Sequence, residues 1–132
     1  MEQARQDPTD WQGLDWQGGR TVRAARQGET VFLRLSEVTS QARVYKQALD
    51  RFFRTEYRDW RPRWGDFEVD IAVHVQPGLP GVDLDNIAKA VLDGVTGALF
   101  FDDVQVARLL VERFSAAEEA IYLTVRRRGA GA

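Results

Sequence analysis

The chain has 132 residues, 44% hydrophobic and 29% charged, with a formal charge of −2, which leaves room for one compact domain and too little for two comfortable ones. It holds no cysteine and a single histidine, His74. Those counts exclude disulfides, thiolate catalysis, cysteine-based zinc sites and multi-histidine metal sites, and argue against a histidine-based triad. Chemistry is left to carboxylates, lysine and metal. With no apolar run near the length of a membrane span and no secretory leader, the protein is expected in the cytoplasm.

Residues 1–19 are polar, carry Trp11 and Trp16, and show no clean period, so a weakly ordered start is expected. Arg20–Arg26 and Thr30–Leu35, joined through Gln27-Gly28-Glu29, read as a hairpin. Thr39 or Ser40 then caps a helix running to about Tyr57 or Trp60, with Val44, Ala48, Leu49, Phe52 and Phe53 as its buried stripe and Pro62 as its stop. Arg43, Lys46, Arg51, Arg54 and Arg58 lie largely elsewhere on that helix. Near Tyr57, Trp60 and Trp64 they outline either a DNA-facing edge or an ordinary solvated face.

Phe67–Val75 alternates cleanly between apolar and polar residues, as a half-buried strand does, and His74 reads as a surface or edge residue. Pro77-Gly78-Leu79-Pro80-Gly81 makes a bend. In the helix that follows, Asp85, Lys89 and Asp93 share one face, opposite a stripe of Ile87, Ala88, Val91, Leu92 and Val95. Asp85 is the expected N-cap, and Gly94 and Gly97 are expected to help end the helix. The apolar Val95–Phe101 segment reads as core or, alternatively, as an interface. Val104–Phe114 and Ala120–Arg126 read as an antiparallel hairpin joined through residues 115–119. Arg126-Arg127-Arg128 precedes a Gly/Ala tail and reads as a solubilising end or a phosphate contact. The order predicts an α+β fold, two helices packed on a mixed, mostly antiparallel sheet.

The chemistry concentrates in residues 80–106. Asp83 and Asp85 open the second helix, and Asp102 and Asp103 stand at the foot of the next strand. Asp-x-Asp-Asn before an apolar run is also a capping signal, and Asp-Asp is also a turn signal. Together, two acidic pairs bracketing a helix, folded back on one another, would repel unless a cation sat between them, and their hard oxygens suit Mg²⁺ or Mn²⁺. A calcium loop begun at Asp83 fails: it puts Ile87 at the fifth position, Ala88 at the required glycine and Gly94 at the required glutamate. Residues 64–105 carry eight acids against Lys89 alone, whereas residues 41–63 carry seven bases against three acids. Bound cations would offset the first block and leave the second for phosphates, in which arginine's planar fork suits bidentate contacts.

Asp83-x-Asp85-Asn86-x-x-Lys89-x-x-x-Asp93, followed after a glycine-containing gap by Asp102-Asp103-x-Gln105-Val106, resembles the signature of the RusA family of Holliday junction resolvases. The resemblance covers about a quarter of the chain. The proline-rich loop that often opens such proteins is missing from the N-terminal third. The resemblance implies a RusA-like domain over residues 20–128 with a flexible tail at 129–132. It implies a magnesium- or manganese-dependent endodeoxyribonuclease, a homodimer, that resolves four-way or branched DNA by paired symmetric nicks in recombination and repair. Asp83, Asp85 and Asp103 are implied as catalytic metal ligands with Asp102 as a supporting ligand or orienter. Lys89 is implied as the stabiliser of phosphate charge, Asn86 as an orienter of a carboxylate, and Asp93 as a partner of Lys89. Arg43, Lys46, Arg51, Arg54 and Arg58 are the candidate DNA contacts. Two other readings of the same residues are a non-catalytic junction-binding module, and a partner-binding domain whose acids are caps and turns.

Overall fold

A computed structural model describes residues 13–78 and 82–129; Trp11, the Leu79–Gly81 part of the expected bend and the last three residues of the tail lie outside them. The elements are β1 (Gln17–Gly18), β2 (Val22–Gln27), β3 (Thr30–Leu35), α1 (Ala42–Thr55), β4 (Phe67–Val75), α2 (Leu84–Val95), a 3₁₀ turn (Asp103–Gln105), β5 (Val106–Ser115) and β6 (Ala120–Arg127). This is the expected α+β fold, two helices on a mixed six-stranded sheet, with the two-residue β1 added at the edge. Among the described residues, no helix is long and apolar enough to cross a membrane.

The β2–β3 hairpin forms as expected, pairing Gln27 with Thr30 across Gly28-Glu29. Gly28 supplies the positive φ, 62°, that a two-residue loop of this kind needs at its first position. The far end of the sheet differs from expectation. The order is β1-β2-β3-β6-β4-β5, so β5 and β6 are not neighbours, and β4 lies between them. β5 runs parallel to β4, and β6 antiparallel to it. The link over residues 116–119 crosses the end of β4, and the Ala116 N–H donates to Val75 O at 2.9 Å. Two strand spacings are about 10 Å, which four residues span easily, so a link that looks like a hairpin loop also fits a jump over one strand.

β4 is paired on both edges and packs one face against the helices. Phe67, Val69, Ile71, Val73 and Val75 meet α1 and α2. On the other face His74 lies between the rings of Tyr122 and Phe114, at 4.7 and 5.4 Å, so it belongs to a central strand rather than an edge. Arg108 pairs there with Asp70 at 3.0 Å, and Glu68 takes Arg126 and Arg128, which ties down two of the three terminal arginines. Arg128 and then Arg126 hold the Glu68 carboxyl below its ordinary range.

α1 starts one or two residues later than expected, with Gln41 rather than Thr39 or Ser40 at its N-cap, and ends at Thr55. Its stripe is Tyr45, Leu49, Phe52 and Phe53, the i, i+4, i+7, i+8 spacing of a core-facing helix; Val44 gives way to Tyr45. Pro62 is not the stop. The chain leaves the helix earlier so that Tyr57 can turn back onto Phe52 and Phe53, at ring distances of 5.1 and 5.5 Å. The Tyr45 hydroxyl donates to Glu37 O at 2.8 Å and accepts from Thr39 N at 3.0 Å. Burial pushes this phenol up to about 12, so it stays a neutral donor.

Gly94 does not end α2; it sits inside it, at the crossing with α1. A Cβ there would lie 2.7 Å from the Tyr45 Cβ and 3.3 Å from Leu49 Cδ1. The helix ends instead at Thr96 and Gly97, the latter at φ 91°, and Lys46 Nζ donates to Thr96 O at 2.5 Å, a cation at the negative end of the helix dipole. Val95, Ala98, Leu99 and Phe100 are core, and of the large apolar side chains of that segment Phe101 turns outward.

Gly94→Ala is predicted to destabilise the fold. Its gain in helix propensity, about 1 kcal/mol, is outweighed by a clash with a Cβ that cannot swing away, an overpacking cost of about 1–3 kcal/mol. Urea unfolding followed by tryptophan fluorescence should show a lower midpoint; an unchanged or higher midpoint would mean that the helices do not pack this closely.

Candidate active site

β4, α2 and β5 form a crossover unit. Parallel neighbours cannot be joined by a tight turn, so the chain returns across the sheet through α2 before β5 begins. That return leaves a groove of about 330 Å³ between α2 and β5. Leu84, Ala88 and Leu92 line it from the helix and Leu109 and Val111 from the strand. Its polar groups are Asp85, Lys89 and Asp103. Three residues singled out in the sequence therefore converge on one groove.

Asp83, not Asp85, is the N-cap of α2. Asp85 falls in the first helical turn, where the dipole still favours its charge. The Asn86 amide donates to Asp83 Oδ2 at 2.6 Å, the orienting contact expected of it. Asp83 and Asp85 also share a hydrogen bond. That bond, chiefly, raises the Asp83 carboxyl above its ordinary range and lowers that of Asp85. The two carboxyls therefore titrate as a pair, each shifting the other, as closely spaced carboxylates do.

Asp102 caps the 3₁₀ turn: its Oδ1 accepts from Val104 N at 3.3 Å. Its neighbour Asp103 is raised above the usual carboxylate range, first by a hydrogen bond with Asp102, then by slight burial and the charges of Asp102 and Asp93, with Lys89 opposing. Lys89 and Asp93 are not ion-paired with each other; both act on Asp103 instead. The raised carboxyls of Asp83 and Asp103 favour the fold at low pH, and that contribution is lost as pH rises through their folded pKa. Asp85 works in the opposite sense. At neutral pH the acidic positions are held against their own repulsion by the surrounding fold.

The fold-back that would gather three or four carboxylates does not occur within one chain. Asp83 and Asp85 begin α2, whereas Asp102 and Asp103 follow its end and meet Lys89 and Asp93 farther along it. Among the described residues, no group of three or more acids or histidines is close enough to hold an ion. The donor set nevertheless suits a hard divalent cation, being adjacent oxygen pairs whose repulsion a cation would relieve. Each pair offers two side chains, so a six-coordinate ion at either would take its other ligands from water, phosphate or a second subunit.

Gln105 is the one buried polar residue of the described chain, and it fixes the acidic turn. Its Oε1 accepts from Phe101 N at 2.8 Å and Asp102 N at 3.0 Å. Its Nε2 donates to Arg63 O at 2.9 Å and Gly65 O at 2.8 Å. The whole capacity of the amide facing these groups is used, and two separate loops are joined through it. The sequence pattern carries a signal for half of this, since Asp102-x-x-Gln105 is a capping box. The bonds to Arg63 and Gly65 leave no local trace.

The basic residues of α1 are spread. Arg43, Arg51 and Arg54, with Arg58 just past the helix end, are exposed. Arg51 lines a different groove, between α1 and the β1–β2 edge. Lys46 is committed to Thr96 O and lies 3.8 Å from Asp50. Of the nearby aromatics, Tyr57 is buried and Trp60 is covered by Arg26 and Arg63, at 5.3 and 4.9 Å; Trp64 alone is open.

The family model described as Endodeoxyribonuclease RusA matches residues 22–126, a span that includes every one of these positions. No curated protein matches the chain.

Gln105→Leu is predicted to cost roughly 3 kcal/mol, because two part-buried N–H groups and two carbonyls lose their partners at once. Thermal and urea unfolding should both show it. A loss under 1 kcal/mol would mean that water replaces the amide and that the clamp is not what fixes the turn.

Proposed function

The chain belongs to the RusA family of endodeoxyribonucleases, and on that footing we propose that it is a cytoplasmic, metal-dependent, structure-specific nuclease that resolves four-way DNA junctions by paired symmetric nicks in recombination and repair. The observation that carries the reading is the convergence of Asp85, Lys89 and Asp103 on one groove, with Asp83 and Asp102 directly beside them.

Phosphodiester hydrolysis needs an activated water, relief of charge on the phosphorane-like transition state and a stabilised leaving oxygen. Mg²⁺ or Mn²⁺ held at the Asp83–Asp85 pair and at Asp103, with the remaining ligands from water, phosphate or a second subunit, would supply the Lewis acidity that polarises the phosphate and acidifies the attacking water. Asn86 keeps Asp83 turned toward its partner. Asp102 spends one oxygen on Val104 N–H and so orients the turn that presents Asp103. Lys89, exposed and one turn from Asp85, faces the groove and meets the negative charge that grows on the phosphate. Arg43, Arg51, Arg54 and Arg58 take flanking phosphates, with a smaller share for Lys46 because its ammonium already serves α2. Two copies related by a two-fold axis match the symmetry of a four-way junction and place one site on each of two opposed strands.

The test is a labelled four-way junction beside linear duplex, with Mg²⁺ or Mn²⁺ and with chelator. Paired nicks on the junction are expected, abolished by chelator and reduced about 100-fold or more in Asp85→Asn and Asp103→Asn. Tight binding without cleavage would establish the non-catalytic module instead. Neither binding nor cleavage would sink both readings.

A further inference from the structure

Trp64 and Phe101 form an aromatic platform that nothing in the nuclease chemistry uses. Their rings stack at 4.3 Å between centroids with planes 21° apart, and both stay open to solvent, 66% and 41% exposed. An exposed tryptophan face of this kind is unusual in a chain whose other aromatic residues near this edge are buried or covered by arginine. The pair is also held in place. Gln105 bonds the backbone on both sides of Trp64, at Arg63 and Gly65, and the backbone N–H of Phe101 itself. The same amide fixes Asp102 N, so the platform and the acidic turn are one rigid piece. Phe101 and Asp103 are two residues apart, within about 7 Å along the chain.

Building on the nuclease reading above, we propose that Trp64, backed by Phe101, is the stacking surface for an unstacked nucleobase of the DNA strand cut at Asp103. Three features favour a base over a protein partner. The two rings are flanked in sequence by charge, Arg63 and Asp66 about Trp64 and Asp102 and Asp103 after Phe101, whereas a stable protein interface needs about 800 Å² per side with an apolar centre. The ring face is rigid before the ligand arrives, so little side-chain entropy is lost on stacking. Arg61, three residues before Trp64, is exposed, its guanidinium bonded to the carbonyls of Arg58 and Trp60 and ion-paired to none of the described carboxylates, a charge available to the phosphate of the stacked nucleotide. Stacking is sequence-tolerant, since every base has a π-face, and suits a nuclease that reads branch geometry.

The test is a binding cycle in the full-length Asp85→Asn background, on a four-way junction with intact bases and on one made abasic at the nucleotides flanking the mapped nick. Trp64→Ala should weaken binding to the intact junction by about tenfold. The abasic change should weaken the Trp64 protein by a similar factor, and the two together should cost no more than either alone. Trp64→Phe, which keeps a ring, should stay within about threefold of the parent. The proposal is overturned if Trp64→Ala binds the intact junction as well as its parent does, if the two losses multiply, or if light scattering shows that the variant loses a subunit. Cleavage by the wild type in parallel separates the readings: cutting that persists while Trp64 proves inert removes the platform and leaves the nuclease, whereas no cutting and no binding removes both.

Discussion

The parallel pairing of β5 with β4 is the constraint from which the rest follows. Strands that run the same way need a long crossover, and residues 76–105 are that crossover. Its outward limb delivers Asp83 and Asp85 to the start of α2, and its return limb delivers Asp102 and Asp103 to the start of β5. The helix between them lies against β5 and makes the groove. Close approach of α1 at Gly94 holds α2 over the sheet, and Lys46 finishes its C-terminal end. The acidic positions are therefore a by-product of topology: they sit where a βαβ unit has to turn.

A site of this kind works against the stability of its own fold. Two adjacent carboxylate pairs raise the proton affinity of Asp83 and Asp103, which is the signature of charges that would rather be apart. The molecule sets rigid neutral bonding against that repulsion. Gln105 takes four backbone partners and draws the 63–65 segment onto the acidic turn, while Asn86 pins Asp83. Neither adds charge. Both hold carboxylates in fixed positions.

Much of this was legible in the sequence because it is local. The clean alternation of 67–75, the hairpin around Gly28, and the shared face of Asp85 and Lys89 each follow from a period or a turn preference, and each formed. What was not legible depends on partners distant in the chain. The stretch 104–126 reads as a hairpin because nothing nearby says that β4 will slip between its strands. Gly94 reads as a breaker because its neighbour Tyr45 is about fifty positions away. Asp85 reads as the N-cap because two aspartates flank Leu84, and only the backbone decides between them. For the same reason the two acidic pairs look able to merge on paper while no three of the described acids gather in one chain, and the Trp64–Phe101 stack, made by residues thirty-seven positions apart, leaves no pattern at all.

The central claim is that the acidic pairs, separate within a chain, act as one catalytic unit. Single-turnover cleavage of a four-way junction at saturating Mn²⁺ tests it most directly, with Asp85→Asn, Asp103→Asn and the double variant side by side. Groups that serve one reaction centre are not additive, so the double variant should be no slower than the slower single, within about threefold. If the two losses multiply, the pairs work independently, and the groove is not a single active site.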